Sequence, residues 1–328
     1  MKHRIQALLA VAASVAVGLF AAPVQAQEGY PARPVTIIVP FPAGGISDVI
    51  TRILADSLST QLDGTFVVEN RPGAGGIVGS TAGAQAAPDG YTLVVTNLGT
   101  HVLAPLLADG VTYDPIKSFT PISTIVSLPF VLTVSADSGI KTLEDLKAKA
   151  EEAEKQGKVL TYAAAGAANA DNYSATLLTN AIGVKAQRVV YPGAAPSINA
   201  VISGEVDFHM TMITDAVPQV TGGKLNPIVM STLDRYPFLP DYAALSDFGL
   251  NEPNVQNWFG LMGPAGMPDD IVAKLNAAVQ VALEDPRFAA TGLADFSLPG
   301  TADDFAVYLK EQSDRFRSQV DTYRDVLK

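Results

Sequence analysis

The most constraining feature of the chain is a pattern met twice. A short β-branched run ends in a glycine-containing turn and passes directly into a helix-like segment. In the first instance "VTIIVPF" (35–41) has the continuous apolar character of a strand buried on both faces. It runs through "PAGGI" into "SDVITRILADSLSTQL" (47–62), where Val49, Ile50, Ile53, Leu54, Leu58 and Leu62 keep helical spacing. Ser47 or Asp48 is the expected N-cap. "TFVVEN" (65–70) reads as a second strand, and 71–90 as a glycine-rich turn, a small-residue helix and an Asp-Gly turn. "YTLVVTN" (91–97) reads as a third strand. The order β-α-β-α-β predicts a parallel, doubly wound sheet.

The pattern restarts at "VLTYAAAG" (159–166), with a helix over 172–183, a strand and turn in "QRVVYPG" (187–193), and a helix then a strand over 195–214. A further strand is read at 225–232. Segment 120–140 should cross from the first unit to the second, and "NWFGLMGPAG" (257–266) should form a strand of the return leg. Two C-terminal helices, 268–285 and 302–328, have apolar faces but no sheet of their own, so they are expected to pack on the first unit. The fold class expected is α/β, in two domains: 27–124 with 235–328, and 125–234. A ligand would sit between them, at the C-terminal ends of the strands.

Residues 1–26 are read as a signal peptide. Lys2 and Arg4 precede the apolar stretch "ALLAVAASVAVGLFAA", and Val24 and Ala26 suit a cleavage site before Gln27. Export predicts a periplasmic protein. Loss of Lys2 and Arg4 would take the formal charge from −11 to −13. Nucleic acid is not an expected partner of so acidic a chain, which has no basic run. With no cysteine, stability must come from core burial, and thiol chemistry is excluded.

Catalysis finds no support. A hydrolase needs a nucleophile, a base and an orienting acid. "GISDV" (45–49) lacks the second glycine of a nucleophile elbow, and "VGSTAG" (78–83) fails too. His209 in "VDFHMT" reads as a packed strand residue. No metal-ligand cluster or cofactor motif is present. "PAGGISD" lacks the lysine of a phosphate loop, and "GAGGIVG" (73–79) follows Arg71 and Pro72 rather than a strand.

What remains is a turn whose backbone N–H groups can bind an anion without a cationic side chain. The first N–H groups of a helix lack internal partners, and Gly44 and Gly45 allow close approach. Four more small or polar loops, 96–101, 163–173, 191–196 and 212–216, should end strands at the same edges.

"YPARPVTIIVPFPAGGISDVITRILADSL", "VVENRPGAGGIVG", "AAPDGYTLVV", "TYDPIKSFTPIS", "GEVDF" and "WFGLMGPAGMPDDIVAKLNAAV" together resemble the Bug family. These are the TctC-type extracytoplasmic solute-binding receptors of tripartite tricarboxylate transporters. The resemblance runs over nearly the whole mature chain. It implies a two-domain type II periplasmic-binding-protein fold, with no enzymatic activity and no cofactor. It implies a monomer that holds a small carboxylate, with bridging waters, and delivers it to membrane permease subunits. The ligand-binding positions it implies are Phe41, Pro42, Ala43, Gly44, Gly45 and Asp48, then Asn97, Gly99, Thr100 and His101, from the first domain. The second domain would add Ala165, Gly166 and Asn169, Tyr191 and Gly193, and Thr214 and Asp215.

The family's "SAGxGSSxH" is here "AAGAANADN", and its "YKG" is "YPG" with Pro192. Asp171 either caps the helix that follows or faces the ligand, where it would favour an amine or hydroxyl. An exported hydrolase-like enzyme and a receptor that feeds a sensor are the alternatives.

Overall fold

The computed structural model describes residues 29–166 and 169–327; the segment read as a signal peptide lies outside them. The first unit follows the predicted order: β1 (Val35–Val39), α1 (Ile46–Gln61), β2 (Phe66–Asn70), α2 (Ile77–Ala84) and β3 (Thr92–Asn97). β1 is central and parallel to both neighbours, with Val35 opposite Phe66 and Thr36 opposite Thr92. Its continuous apolar run is explained by cover on both faces. Val35 and Ile37 pack with Ile50, Leu54 and Leu58 of α1, while Ile38 belongs to the opposite core.

α3 (Ala104–Leu107) leads to β4 (Phe119–Ser135), a 17-residue strand that serves two sheets. Then come α4 (Leu143–Lys155), β5 (Leu160–Ala164), α5 (Ala170–Ala181), β6 (Ala186–Val190), α6 (Ala194–Ile202), β7 (Phe208–Met212), α7 (Ile213–Thr221) and β8 (Leu225–Met230). β9 (Gln256–Pro264), α8 (Asp269–Leu283), α9 (Pro286–Ala290) and α10 (Ala302–Leu327) complete the described chain.

The N-terminal part of β4 pairs with β9 as far as Pro129 opposite Gln256. From Phe130 onward it pairs with β7, and from Val131 with β8. The first half of the sheet therefore runs β2-β1-β3-β9-β4 and the second β6-β5-β7-β4-β8. Each half has its second, first and third strands parallel, then one antiparallel strand, then a fourth. β4 is the fourth strand of one half and the antiparallel strand of the other. The return crossing is tied to the same place: Phe130 N–H donates to Ser231 Oγ (2.9 Å), Ser231 N–H to Phe130 O (2.8 Å), and Val255 N–H to Ser231 O (3.0 Å).

Three sequence expectations change. The N-cap of α1 is Gly45, not Ser47 or Asp48. Its extended conformation follows a positive φ of 85° at Gly44, which starts the helix at Ile46 and leaves Asp48 in the first turn. α8 packs on the first half with α1, as expected, but α10 spans both halves. Its Phe305 meets Trp258 of β9, with ring centroids 5.7 Å apart. Its Phe316 meets Tyr173 of α5 at 5.4 Å, and Gln319 accepts from the Tyr173 hydroxyl at 3.1 Å. An amphipathic pattern specifies an apolar face and not what covers it. Finally, α4 lies where no helix was read. Its start is fixed by a capping box: Thr142 Oγ1 accepts from Asp145 N–H, and the Asp145 carboxylate accepts from Thr142 N–H.

Candidate functional site

Because β1, β2 and β3 are parallel, the turns that leave them lie at one edge. Gly44 N–H donates to Asp48 Oδ2 at 2.9 Å, so a first-turn carboxylate reaches back to hold the 40–45 turn. Asp48 is 4% exposed and also accepts from Asn70 Nδ2 (3.0 Å) and from both Nε (3.0 Å) and Nη2 (2.9 Å) of Arg52. Asn70 Nδ2 donates to Phe41 O as well (3.1 Å). Burial alone would raise the Asp48 pKa. The hydrogen bonds from Arg52, Gly44 and Asn70 outweigh burial and hold it below the usual carboxylate range. Asp48 is thus the anchor of the turn. The N–H groups of Gly45, Ile46 and Ser47 make no hydrogen bond among the described residues.

The turn after β2 closes on the first. Gly76, with φ 98°, is the N-cap of α2. A methyl group there would lie 2.6 Å from Thr100 Cγ2 and 3.2 Å from the Phe41 ring. Only glycine lets these three turns meet.

After β3, Asn97 Oδ1 accepts from Thr100 N–H at 2.9 Å, and the Tyr113 hydroxyl donates to Thr100 O at 2.5 Å. Gly99–Leu103 forms one π-helical turn, a form that recurs at functional sites. His101 is fully buried behind this turn, against the Phe119 ring (4.5 Å between centroids) and the Tyr113 ring (5.8 Å). Its Nδ1 is 3.0 Å from Thr100 Oγ1. Burial pushes its pKa down to about 3, so the imidazole is neutral.

The second half repeats the plan. Ala165 N–H donates to Asp171 Oδ2 at 2.6 Å, and Asn169 Nδ2 donates to Ala165 O at 2.6 Å. The N-cap of α5 is Asn169, so Asp171, like Asp48, is a first-turn carboxylate that holds the preceding loop. Asp171 Oδ2 also lies 3.2 Å from Nε2 of His209, whose Nδ1 is 3.0 Å from Thr211 Oγ1. His209 is the packed strand residue expected from its context. Gly166, at φ 140°, sits against the Asn169 amide, where a methyl would come within 2.8 Å.

Tyr191 N–H donates to Ala164 O (2.8 Å), and its hydroxyl is taken by Glu205 Oε1 (2.8 Å). Gly193 caps α6 at φ 133°. Thr214 Oγ1 is buried without a hydrogen-bond partner among the described residues. The carboxylate of Asp215, in the first turn of α7, makes no side-chain hydrogen bond among the described residues. Burial raises its pKa, against a smaller opposite effect of His209.

The two edges meet where Gly99 faces Asn169: a methyl on Gly99 would lie 3.9 Å from Asn169 Oδ1. Around this point begin five helices, α1, α2, α5, α6 and α7, and none has a side chain capping its N-terminus. Of the other helices, α4, α9 and α10 are capped by Thr142, Asp285 and Thr301, whereas α3 and α8 have no side-chain cap. No lysine or arginine occurs in 40–45, 97–101, 165–169, 191–193 or 212–215. Such a cleft offers N–H groups and positive helix ends to an anion, and the one arginine in the turn after β2, Arg71, is paired with Glu69.

Sequence reasoning missed Arg52, Asn70 and Gly76. Asn70 and Gly76 sit in "VVENRPGAGGIVG", a stretch that carries the family resemblance but supplies none of the ligand-binding positions it implies. Their partners are remote in the chain, Asn70 being 22 residues from Asp48.

Two α/β halves sharing β4, with facing C-terminal edges, define an α/β periplasmic-binding-protein fold. Residues 50–322 match the tripartite tricarboxylate transporter family receptor, and the chain belongs to that family of solute-binding receptors, which are not enzymes. It is 31% identical to Protein BugT of Bordetella pertussis over 85% of this chain and 86% of that one. It is 32% identical to MatC from Rhodopseudomonas palustris, solved with bound malate, with a TM-score of 0.79 over 91% of this chain and 100% of that one. An R. palustris protein solved with adipate is 27% identical, with a TM-score of 0.81 over 89% and 98% of the two chains.

Proposed function

We propose that this receptor captures a small organic carboxylate between its two halves and delivers it to the membrane permease subunits of a tripartite tricarboxylate transporter. The observation that carries the reading is the convergence of five helix N-termini without side-chain caps on turns whose one cationic residue, Arg71, is paired with Glu69. One ligand carboxylate accepts from the N–H groups of Gly45, Ile46 and Ser47, directly or through bridging waters, in the turn formed by Phe41 to Gly45. Asn97, Gly99 and Thr100 flank it, and Asp48 positions the turn from beneath. Several backbone N–H bonds stabilise a carboxylate without arginine.

The far end of the ligand lies against Ala165, Gly166, Asn169, Gly193, Thr214 and Asp215. The unpartnered Thr214 hydroxyl and Asp215 carboxylate favour a ligand that carries a hydroxyl beside its carboxylates. Malate in MatC is of this kind, whereas the R. palustris adipate complex holds an unsubstituted diacid. The first domain comprises 27–124 with 235–328 and the second 125–234. The bend falls where β4 changes partners, at Pro129 and Phe130. The receptor works as a periplasmic monomer after removal of 1–26.

A thermal-shift screen of C4 to C6 mono- and dicarboxylates tests this. A ligand present at one hundred times its Kd should stabilise the receptor by about 2.7 kcal/mol, with hydroxylated acids ahead of unsubstituted ones. Stabilisation by no carboxylate would reject the capture reading. Preference for the unsubstituted acids would reject the role given to Thr214 and Asp215.

A further inference from the structure

Behind the Thr100 turn lies a second cavity, of about 190 Å³, between the segment that follows β3 and helix α10. Of the residues assigned above to the cleft and its supports, it shares only His101. His101 is fully buried, and its Nε2, the ring nitrogen not facing Thr100, has no hydrogen-bond partner among the described residues. Ser313 lines the same cavity, and its buried hydroxyl is likewise unpartnered. Lys117 and Arg317 complete the polar lining, and neither side chain forms an ion pair or hydrogen bond among the described residues. Asp114 also lines it. Its Oδ1 is taken by the N–H groups of Ile116 (2.9 Å) and Lys117 (2.8 Å), which with the Lys117 charge offset part of its negative charge.

These groups select a ligand by chemistry. Thr100 Oγ1 can donate to Nδ1 of the neutral imidazole, which makes Nε2 a donor. Ser313 adds an O–H donor, and Lys117 and Arg317 add positive charge. A cation would be repelled, and an apolar molecule would leave two buried polar groups unsatisfied. The volume holds several waters, enough for a small oxyanion with part of its hydration. The geometry points to a second binding site, for an oxyanion of acetate or phosphate size, formed by His101 Nε2, Ser313, Lys117 and Arg317. The site touches the cleft through His101, which contacts Thr100 and, through Thr100, Asn97.

The chain has three histidines, His3, His101 and His209, so nitrogen-15 spectra of histidine-labelled full-length protein can be assigned by substitution. Acetate and inorganic phosphate are titrated separately, with chloride holding ionic strength constant. The expected result is a saturable shift of the His101 resonances, ending with the proton on Nε2. Arg317→Gln and Ser313→Ala should each raise the anion's apparent Kd at least tenfold. Arg317 is exposed on α10, so its variant should keep the wild-type circular dichroism, and Lys117→Gln gives an independent variant. Saturation by acetate alone marks a carboxylate site, and by phosphate alone a phosphate site. His101 resonances that stay put with both anions, drift without saturation, or respond equally in Arg317→Gln and Ser313→Ala would overturn the site and leave the cavity to water.

Discussion

Asp48 and Asp171 do the same job in the two halves. Each is a first-turn carboxylate that accepts a backbone N–H from the loop before its helix, Gly44 in one case and Ala165 in the other. Asp48→Ala removes the shared acceptor of Gly44 N–H, Asn70 and Arg52. It should cost about 1 kcal/mol, the net worth of a few hydrogen bonds whose exposed donors Gly44 and Arg52 can turn to water, read as a lower denaturation midpoint at unchanged m-value. The native pKa of Asp48 is depressed, so its contribution is complete above the unfolded-state value of about 3.9. It is lost as pH falls through the native value, and the gap between wild type and variant should narrow there. Asp215 has the opposite sign. Burial raises its native pKa, so its charged form costs stability. The protonated form carries no such penalty below about pH 4, and stability falls as pH rises through the native value. Asp215→Asn should therefore raise Tm at pH 7 and leave it unchanged at pH 4. A variant no more stable than wild type at pH 7 would show that the carboxylate has a partner in the free protein.

Helix starts differ in how they are capped. α4 carries a complete capping box, and Thr142→Ala should cost about 1 kcal/mol without altering carboxylate affinity in calorimetry. The helices at the cleft lack such side-chain caps, although at α2 the first N–H groups are taken by Gly73 O and Ala74 O of the preceding turn. This difference was partly legible in sequence. Strand, glycine turn and helix are local signals, so the alternating order and the turn at Gly44 and Gly45 were readable from "VTIIVPFPAGGISD". The cap was misplaced because Ser47 and Asp48 satisfy composition rules, while the positive φ of Gly44 sets the actual start. The Asp48–Asn70–Arg52 cluster was not readable, since it joins two strand–helix turns through side chains. Residues 120–140 announced a crossing, but nothing local says that β4 will change partners between Pro129 and Phe130.

In the whole molecule the two crossings are stitched together by Ser231, which bonds Phe130 and lies beside Val255. Rotation there would open and close the facing edges as a hinge. α10 lies across both halves through Phe305, Phe316 and Gln319, so it must slide or bend when they separate. The proposed capture depends on N–H groups left open at Gly45. Its φ of −79° suits any residue, and a Cβ there would approach nothing closer than Pro42 O at 3.8 Å. Serine at this position can cap α1 with its own hydroxyl and so occupy the groups assigned to the ligand. The decisive measurement is calorimetric titration of wild type and Gly45→Ser with malate and with the best acid from the screen, beside their melting temperatures. Carboxylate capture by open helix ends requires one-to-one binding in wild type and at least tenfold weaker binding in Gly45→Ser, with Tm unchanged or slightly higher. Full affinity in Gly45→Ser at an unchanged Tm would show that the ligand is held elsewhere.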